Sequence, residues 1–285
     1  MKKLFFFLYL GVLFSVIFLY FCLSALPDGK LHVFVLDIGQ GDSILIQTPT
    51  AEHILIDGGP DDKVIEQLGH TLPFYERTID LVIVSHPHAD HINGLVEVLK
   101  RYQVGKILMT GANYKNPGYT AFLQQAIEQK IPILYAGDEH DYQLGTVLLD
   151  MLFPFESLQG QSFENLNNSS ITFRLLYGQR KFYFSGDLEV EGEEKLVASK
   201  LDLSADLLKA PHHGSRTSSS EPLLDLMKPS YALISCGVNN KFKHPYPGTI
   251  QHFQERHITT YRTDLDGTIE AISDGDKITV RTFGK

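Results

Sequence analysis

The segment from Ser85 to His91, with the sequence SHPHADH, limits what this chain can fold into more than any other feature. Three imidazoles and one carboxylate follow the apolar run Ile79–Val84, which is typical of a buried strand. Surface loops also carry histidines, but a cluster this dense at a strand end favours a metal site. Zn²⁺ accepts such ligands, and two ions roughly 3.5–4 Å apart can share so short a segment. The fold must then bring further donors to this strand end.

Two later segments offer such donors. Ser185-Gly186-Asp187 ends an apolar strand, and Asp187 could bridge two ions with one oxygen each, although Gly-Asp is also an ordinary turn. Lys209–Ser215 (KAPHHGS) follows another strand, and its two adjacent histidines would point oppositely in an extended chain. One of His212 and His213 is then a candidate ligand, and the other a candidate substrate contact or acid, or simply a loop cap.

Other polar residues near predicted strand ends are weaker candidates. Asp57 ends a strand and could orient a ligand imidazole, or it could serve only the turn IDGG. Gln40 lies in a glycine turn that we interpret mainly as loop architecture, with approach to the metals as the alternative. His244, before Pro245, is a candidate substrate contact or a packed loop histidine. Three cations could form a modest phosphate-facing rim, with solvated surface as the default: Arg216, Lys241 and Lys243.

Strand and helix patterns alternate through residues 30–285 without an internal repeat. Both alternating and continuous apolar strands occur, so we predict an α/β (α+β) fold of two sheets sandwiched between helices. The predicted strands are Leu31–Asp37, Ser43–Gln47, His53–Asp57, Ile79–Val84, Lys106–Met109, one from Pro132, Ile171–Tyr177, Lys181–Ser185, Leu207–Ala210 and Ala232–Ser235. One predicted helix begins near Asp90, and three others cover Ala121–Gln129, Gly192–Ser199 and Glu221–Met227.

The first residues differ from the rest. Lys2 and Lys3 precede an uncharged apolar run from Leu4 to Leu26, and a helix of that length would extend about 34 Å. We therefore predict one transmembrane helix, with residues 1–29 as anchor and short linker and 30–285 as the folded domain. The paired lysines would stay in the cytoplasm and the domain outside. The alternative is a cleavable signal peptide and a secreted protein, although its apolar region is usually only about 7–15 residues long.

Charge and cysteine content exclude two classes of protein. The formal net charge is −9, which argues against avid, non-specific binding to nucleic acid. It does not exclude a phosphate substrate, because two bound dications would reverse the sign inside a site. Cys22 and Cys236 are the only cysteines, and Cys22 lies in the apolar run, so no disulfide framework is possible in the domain.

Taken together, the motifs resemble the metallo-β-lactamase superfamily. HPHADH matches its His-x-His-x-Asp-His signature, and a larger set in the same order is similar to the extracellular domain of the ComEC competence family. That set is DIGQGD (37–42), IDGG (56–59), HPHADHINGL (86–95), SGD (185–187), KAPHHGS (209–215), NKFKHP (240–245) and RTDLDGTI (262–269). The resemblance implies a four-layer αββα sandwich with two divalent ions, Zn²⁺ or Mn²⁺, at one edge.

The resemblance also implies ligand roles. His86 and His88 would hold the first ion, while Asp90, His91 and His213 would hold the second. Asp187 would bridge the two ions. His212 would face substrate, and Asp90 could help to orient the nucleophile.

One departure from the wider superfamily concerns the first ion. Many members supply a third histidine just before the SGD strand, where this chain has Asn167-Asn168-Ser169-Ser170. An asparagine oxygen or water would have to replace it, which would weaken Zn²⁺ binding and admit harder ions such as Mn²⁺. Asn168 is the candidate substrate contact in this segment.

We expect a metal-dependent hydrolase that cleaves a phosphodiester, namely single-stranded DNA outside the cytoplasmic membrane, with Asp90, Asp187 and His212 as catalytic residues. We do not expect the multi-span channel of full-length family members. One alternative is a phosphocholine or teichoic-acid esterase acting on cell-wall polymers. Another is a non-catalytic partner module that keeps the metals for folding. Ser215 lacks a nucleophile-elbow context, which argues against serine hydrolase chemistry.

Overall fold

The structure, a computed structural model, describes residues 2–24, 27–137 and 141–284. Its strands are β1 (Leu31–Val35), β2 (Ile44–Gln47), β3 (His53–Ile56), β4 (Thr78–Ile83), β5 (Gln103–Met109), β6 (Ile133–Tyr135), β7 (Tyr142–Leu144), β8 (Val147–Phe153), β9 (Thr172–Tyr177), β10 (Arg180–Phe184), β11 (Leu207–Lys209), β12 (Tyr231–Ile234), β13 (Thr259–Arg262), β14 (Ile269–Ser273) and β15 (Ile278–Thr282). Its helices are α1 (Lys2–Ser24), α2 (Lys63–Thr71), α3 (Ala89–Arg101), α4 (Pro117–Glu128), α5 (Val190–Ser199), α6 (Glu221–Met227), α7 (Pro247–Glu255) and α8 (Thr263–Asp266), with 3₁₀ turns at Leu166–Ser169 and Pro211–Gly214.

The strands form two mixed sheets. Among the described residues, the first sheet has the order β15-β14-β1-β2-β3-β4-β5-β6, and the second has the order β13-β12-β11-β10-β9-β8-β7. Strands β3 to β6 run parallel, as do β10 to β13, while hairpins such as β9–β10 are antiparallel. Parallel strands that are neighbours end at the same sheet edge, so the loops that follow β4, β10 and β11 can meet.

Side-chain alternation along the strands builds the layers. In β2, Ile44 and Ile46 join the apolar core between the two sheets, whereas Leu45 joins the core beneath α2, α3 and α4. A third core lies between the second sheet and α5, α6 and α7. The resulting order is helices, sheet, sheet, helices, which confirms the prediction of two sheets sandwiched between helices.

The N-terminal helix carries the predicted membrane anchor. Its side chains are described over residues 5–18, and they expose many large apolar groups between Phe5 and Phe18. None of the helices in the described part of the chain has both the length and the hydropathy of a membrane span. The predicted span covers residues 4–26, of which 25 and 26 lie outside the described residues.

Candidate metal centre

Three strand-end loops from both sheets meet at one edge of the sandwich. The loop after β4 carries His86 and His88, and Asp90 and His91 follow in the first turn of α3. The loop after β10 carries Asp187, and the turn after β11 carries His213. Within the described residues, four groups of three have ligand atoms within 4.8 Å of one another, and two of these include Asp42, with Asp57 and His91 or with Asp187 and His213. The two groups made up only of predicted ligands are His86, His91 and Asp187; and Asp90, His91 and His213. His91 belongs to both groups, so adjacent cation positions are geometrically available.

A glycine allows the two sheets to approach here. Gly186 has a φ of +51°, and a Cβ at this position would lie 2.7 Å from the Cβ of Ser85. Any side chain would therefore push the loop carrying Asp187 away from the loop carrying His86.

His213 is oriented with one nitrogen towards the other donors. Its Nδ1 lies 3.0 Å from the carbonyl oxygen of Ser235 and donates to it, which leaves Nε2 available to accept or to ligate. Nε2 lies 3.5 Å from Asp187 Oδ2 and 3.6 Å from Asp90 Oδ2.

Unpartnered atoms at this position test whether the residues fit a cation. His213 Nε2 and Asp187 Oδ1 are both buried and have no hydrogen-bond partner among the described residues. Buried polar atoms normally have a partner. Imidazole nitrogen and carboxylate oxygen together are ligands of Zn²⁺ and Mn²⁺. The donor set therefore fits divalent cations.

Asp57 contacts the ring nitrogen of His91 that faces away from Asp187. Its Oδ2 lies 2.8 Å from His91 Nδ1, while the Ser85 amide and hydroxyl donate to its two oxygens at 2.8 and 2.6 Å. His91 Nε2 is thereby turned towards Asp187, whose Oδ2 is 3.3 Å away. Burial raises the pKa of Asp57, against the opposing effect of His91.

His86 and His88 lie side by side, with His86 Nε2 at 2.9 Å from His88 Nδ1. Burial lowers the pKa of both, and the nearby His91 lowers them further. Both rings are therefore held in the neutral form that a metal requires. His88 lines the site cavity but belongs to none of the donor groups of three found among the described residues.

The carboxylates dominate the electrostatics of the centre. Burial alone would lower the pKa of His213, but Asp187 and Asp42 raise it to about 10. Burial also lowers the pKa of His91, but Asp187 and Asp57 outweigh it and raise this pKa well above its ordinary value. Asp187 and Asp90 stay ionised, because His91 and His213 lower their pKa values despite burial. The cluster attracts positive charge strongly.

Asp42 and Lys209 form a buried ion pair that sequence reasoning missed. Lys209 Nζ donates to Asp42 Oδ2 at 2.5 Å, and both side chains are inaccessible to solvent. Asp42 Oδ1 also lies 3.3 Å from His213 Nδ1. Gly41, just before Asp42, lets this turn pack on the start of α3, because at its φ of +130° a Cβ would lie 2.2 Å from the Asp90 carbonyl oxygen. Both residues lie within recognised motifs, but nothing in the sequence pairs them across 167 positions.

The two adjacent histidines do not lie in an extended segment, so the reasoning that they point oppositely was wrong in its premise. His212 and His213 have φ values of 50° and 55°, in the left-handed region, and both rings line the site cavity. The His212 Nδ1 lies 3.2 Å from Glu189 Oε1, and its Nε2 lies 3.9 Å from Asp187 Oδ2. His212 belongs to none of the donor groups found among the described residues, whereas His213 belongs to two.

A cavity of about 240 Å³ opens over the donors. Gln40 and His244 line it, as does Asn167, whose Oδ1 is buried without a hydrogen-bond partner among the described residues. Asn168 does not line it: its amide accepts from the Glu189 N–H and donates to Glu191, both at the start of α5. The structure thus places Asn167, rather than the predicted Asn168, beside the donors. The sequence signal was the Asn-Asn pair itself, which does not say which residue faces inward.

Known proteins share both the sequence and the fold. The model of the family described as "Metallo-beta-lactamase superfamily" matches residues 36–238. The chain is 31% identical to ComE operon protein 3 of Bacillus subtilis (strain 168) over 89% of its own length and 34% of that protein. It is 30% identical to competence protein ComA of Neisseria gonorrhoeae over 87% of its length and 33% of that protein. The chain spans about a third of the length of these relatives.

Two solved structures share the fold at low identity. The metallo-beta-lactamase fold protein YhfI from Bacillus subtilis superposes with a TM-score of 0.53 at 12% identity, covering 81% of this chain and 95% of YhfI. A putative metal-dependent hydrolase from Parabacteroides distasonis ATCC 8503 gives a TM-score of 0.50 at 12% identity, covering 83% of this chain and 94% of that one. Because the family model matches most of the domain, the chain belongs to the metallo-β-lactamase superfamily. Its fold and the donor cluster at the edge of the sandwich are those of a metal-dependent hydrolase.

Proposed function

We propose that this protein is a membrane-anchored phosphodiesterase that cleaves single-stranded DNA outside the cytoplasmic membrane. The observation that supports hydrolysis is that Asp187, His91 and His213 come together from segments that follow strands of both sheets. Similarity to competence proteins supports the choice of DNA. Since the chain spans about a third of those relatives, their activities come to it only as a proposal.

In this proposal two divalent cations, Zn²⁺ or Mn²⁺, occupy the centre. His86 and His88 would hold one, Asp90, His91 and His213 would hold the other, and Asp187, which is grouped with donors of both sets, would be shared. Asn167 Oδ1 is buried without a hydrogen-bond partner among the described residues and lines the same cavity as His88, so it would complete the first set in place of the third histidine of other members. When bound, the cations supply an acidified water as nucleophile and neutralise charge on the substrate oxygens. Asp90 would orient the attacking water.

His212 is the proposed proton donor to the leaving oxygen. Its Nδ1 lies 3.2 Å from both Glu189 Oε1 and the Thr217 hydroxyl, and its Nε2 faces the cavity beside Asp187. The same Glu189 oxygen accepts from the Asn167 amide at 2.9 Å. One carboxylate therefore positions two side chains that would contact the scissile phosphate.

The rim of the cavity suits a single strand. Phe242 is 53% exposed, lines the cavity and stacks on His244 with ring centroids 5.8 Å apart. The Lys241 ammonium lies 5.0 Å from the Phe242 ring centroid, and Lys243 is also exposed. An exposed aromatic ring beside cations is the usual combination for stacking a base while contacting the backbone phosphate.

Membrane attachment rests on the N-terminal apolar run. The residues from Phe5 to Phe18 expose their large side chains in every direction around α1, which an aqueous environment disfavours. We propose that a lipid bilayer surrounds this helix. The domain would lie on the outer side, because Lys2 and Lys3 precede the run and positive charges stay in the cytoplasm.

The test is turnover by the purified full chain in detergent, stripped with a chelator and reloaded with Mn²⁺ or Zn²⁺. We expect metal-dependent cleavage of a labelled single-stranded oligonucleotide. Phe242→Ala should weaken oligonucleotide binding by about 1–3 kcal/mol while leaving hydrolysis of a small aryl phosphodiester unchanged. The control is Phe155→Ala, another exposed phenylalanine that lines a different cavity.

Two outcomes would replace this proposal. Hydrolysis of a phosphocholine ester with no cleavage of DNA would identify a cell-wall esterase. Metal binding that stabilises the fold, with no turnover of either substrate, would identify a non-catalytic metal module.

A further inference from the structure

Phe74 is the most exposed large apolar side chain among the residues that the structure describes, at 84% exposure. It lies with Tyr75, which is 53% exposed, at the tip of the loop between α2 and β4. The two rings touch edge to face, with centroids 5.3 Å apart. The tip Pro73-Phe74-Tyr75 carries no charge, so nothing in it opposes transfer into a less polar environment.

The tip lies beside the point where the N-terminal apolar segment joins the domain. Pro27, Asp28 and Lys30 line the same cavity of about 300 Å³ as Tyr75 and Glu76. The four residues Pro27–Lys30 can extend at most about 14 Å, so whatever surrounds the apolar segment is close to this end of the domain.

Hydrogen bonds fix that junction to the fold. Asp28 Oδ1 lies 3.0 Å from His32 Nε2, and His32 Nδ1 lies 2.6 Å from the buried Glu270. The Tyr177 hydroxyl donates to the carbonyl of Gly29 at 3.1 Å. The linker is therefore part of the domain surface rather than a free tether.

The metal centre lies at the opposite end of the same strands. Strand β4 begins just after the aromatic tip and leads to His86, and β1 begins just after the linker and leads towards Asp42. These two strands run in the same direction in the first sheet. The six residues of β4 extend about 20 Å, so the tip and the centre are separated by about the length of this strand.

We propose that Pro73-Phe74-Tyr75 and the Pro27–Lys30 linker form a membrane-contacting face that seats the domain on the lipid interface, with the metal centre directed away from the bilayer. Tyrosine is enriched at this interface, and phenylalanine is among the residues that interfacial segments bury in it. The proposal rests on the proposed membrane attachment and adds a fixed orientation, in which substrate reaches the centre from the side remote from lipid.

The absence of tryptophan from the chain gives a clean experiment. Phe74→Trp places a single reporter at the tip of the full chain, reconstituted into phosphatidylcholine and phosphatidylglycerol vesicles. Brominated lipids should quench it, more strongly when the bromines lie near the headgroups than near the chain ends, and its emission should shift to the blue. Phe242→Trp is the same exchange at the exposed rim of the metal centre. Its fluorescence should not be quenched, and its emission should lie to the red of that of Phe74→Trp.

Flotation of the vesicles separates the two levels of the proposal. Protein that floats with the vesicles but carries an unquenched Phe74→Trp would overturn the seating while leaving the membrane attachment intact. Equal quenching at both positions would overturn the orientation. Protein that does not float would overturn the attachment and the seating together.

Discussion

Asp57 Oδ2 lies 2.8 Å from Nδ1 of His91, and this contact fixes the ring whose other nitrogen belongs to both groups of candidate ligands. Residues that orient a metal-bound imidazole affect metal affinity almost as much as the ligands do. Asp57→Asn should therefore reduce metal affinity and turnover by about 10–100-fold. Competition with a coloured chelator measures the affinity. Asp62→Asn, an exposed carboxylate nearby that makes no capping hydrogen bond, should match the wild type; equal losses in both variants would contradict this role.

Breaking the Asp42–Lys209 ion pair should lower the free energy of unfolding. Lys209→Met leaves the Asp42 carboxylate buried without its cation, and loss of one partner of a buried pair costs about 3–5 kcal/mol. Urea unfolding of the metal-free protein gives the difference in unfolding free energy. Arg180→Met removes a partly exposed partner of Asp206 and should cost less than about 1 kcal/mol. A Lys209→Met variant as stable as this control would show that Asp42 is satisfied without the lysine.

Glu189 should act through the residues that it positions. In Glu189→Gln the side chain keeps one acceptor oxygen for the Asn165 and Asn167 amides together, and it loses the negative charge 3.2 Å from His212 Nδ1. We expect kcat to fall by about 10–100-fold with metal content unchanged, because proton donation by a positioned group contributes at least that much. Glu194→Gln, exposed on α5, is the matched control. An unaltered kcat, or a loss of bound metal, would argue against positioning.

His32 should make stability depend on pH. Its hydrogen bond to Glu270 raises its pKa above 6.5, helped by Asp28 and opposed by burial. Arg281 also contacts Glu270 from β15. A raised folded-state pKa means that this stabilisation is complete below about pH 6.5 and is lost as pH rises through the folded value. Thermal unfolding of the wild type minus that of His32→Gln should therefore shrink as pH rises across neutrality. His70→Gln, at an exposed histidine of α2, is the matched control, and an equal decline in both differences would contradict the prediction.

Local patterns in the sequence predicted most of the strands correctly. The helix expected near Asp90 begins at Ala89, and the hairpin around Gly178 pairs Tyr177 with Arg180. These elements follow from apolar periodicity and turn residues, which are properties of a few neighbouring positions. Helices α2, α7 and α8 and strands β7, β8 and β13 to β15 were not predicted. Helices α2 and α7 are only nine residues long, so each offers few positions at which a helical period can be recognised.

The contacts within the site were less predictable than the residues that make it. The donors could be found because each follows a strand end. Their supporting contacts join distant segments: Asp42 with Lys209, Glu189 with His212, and Asn167 rather than Asn168 at the cavity. The left-handed turn at His212 and His213 also depends on tertiary packing, and no local residue preference indicates it.

The most direct test of the central claim is the metal content of the purified full chain, measured by elemental analysis beside its Asp187→Asn and His213→Ala variants. The account predicts about two divalent ions per wild-type chain, with folded variants that lose one or both ions and their metal-dependent turnover. A wild-type chain that binds no divalent ion after reloading, or variants that retain its full metal content, would contradict a dinuclear centre at this edge of the sandwich.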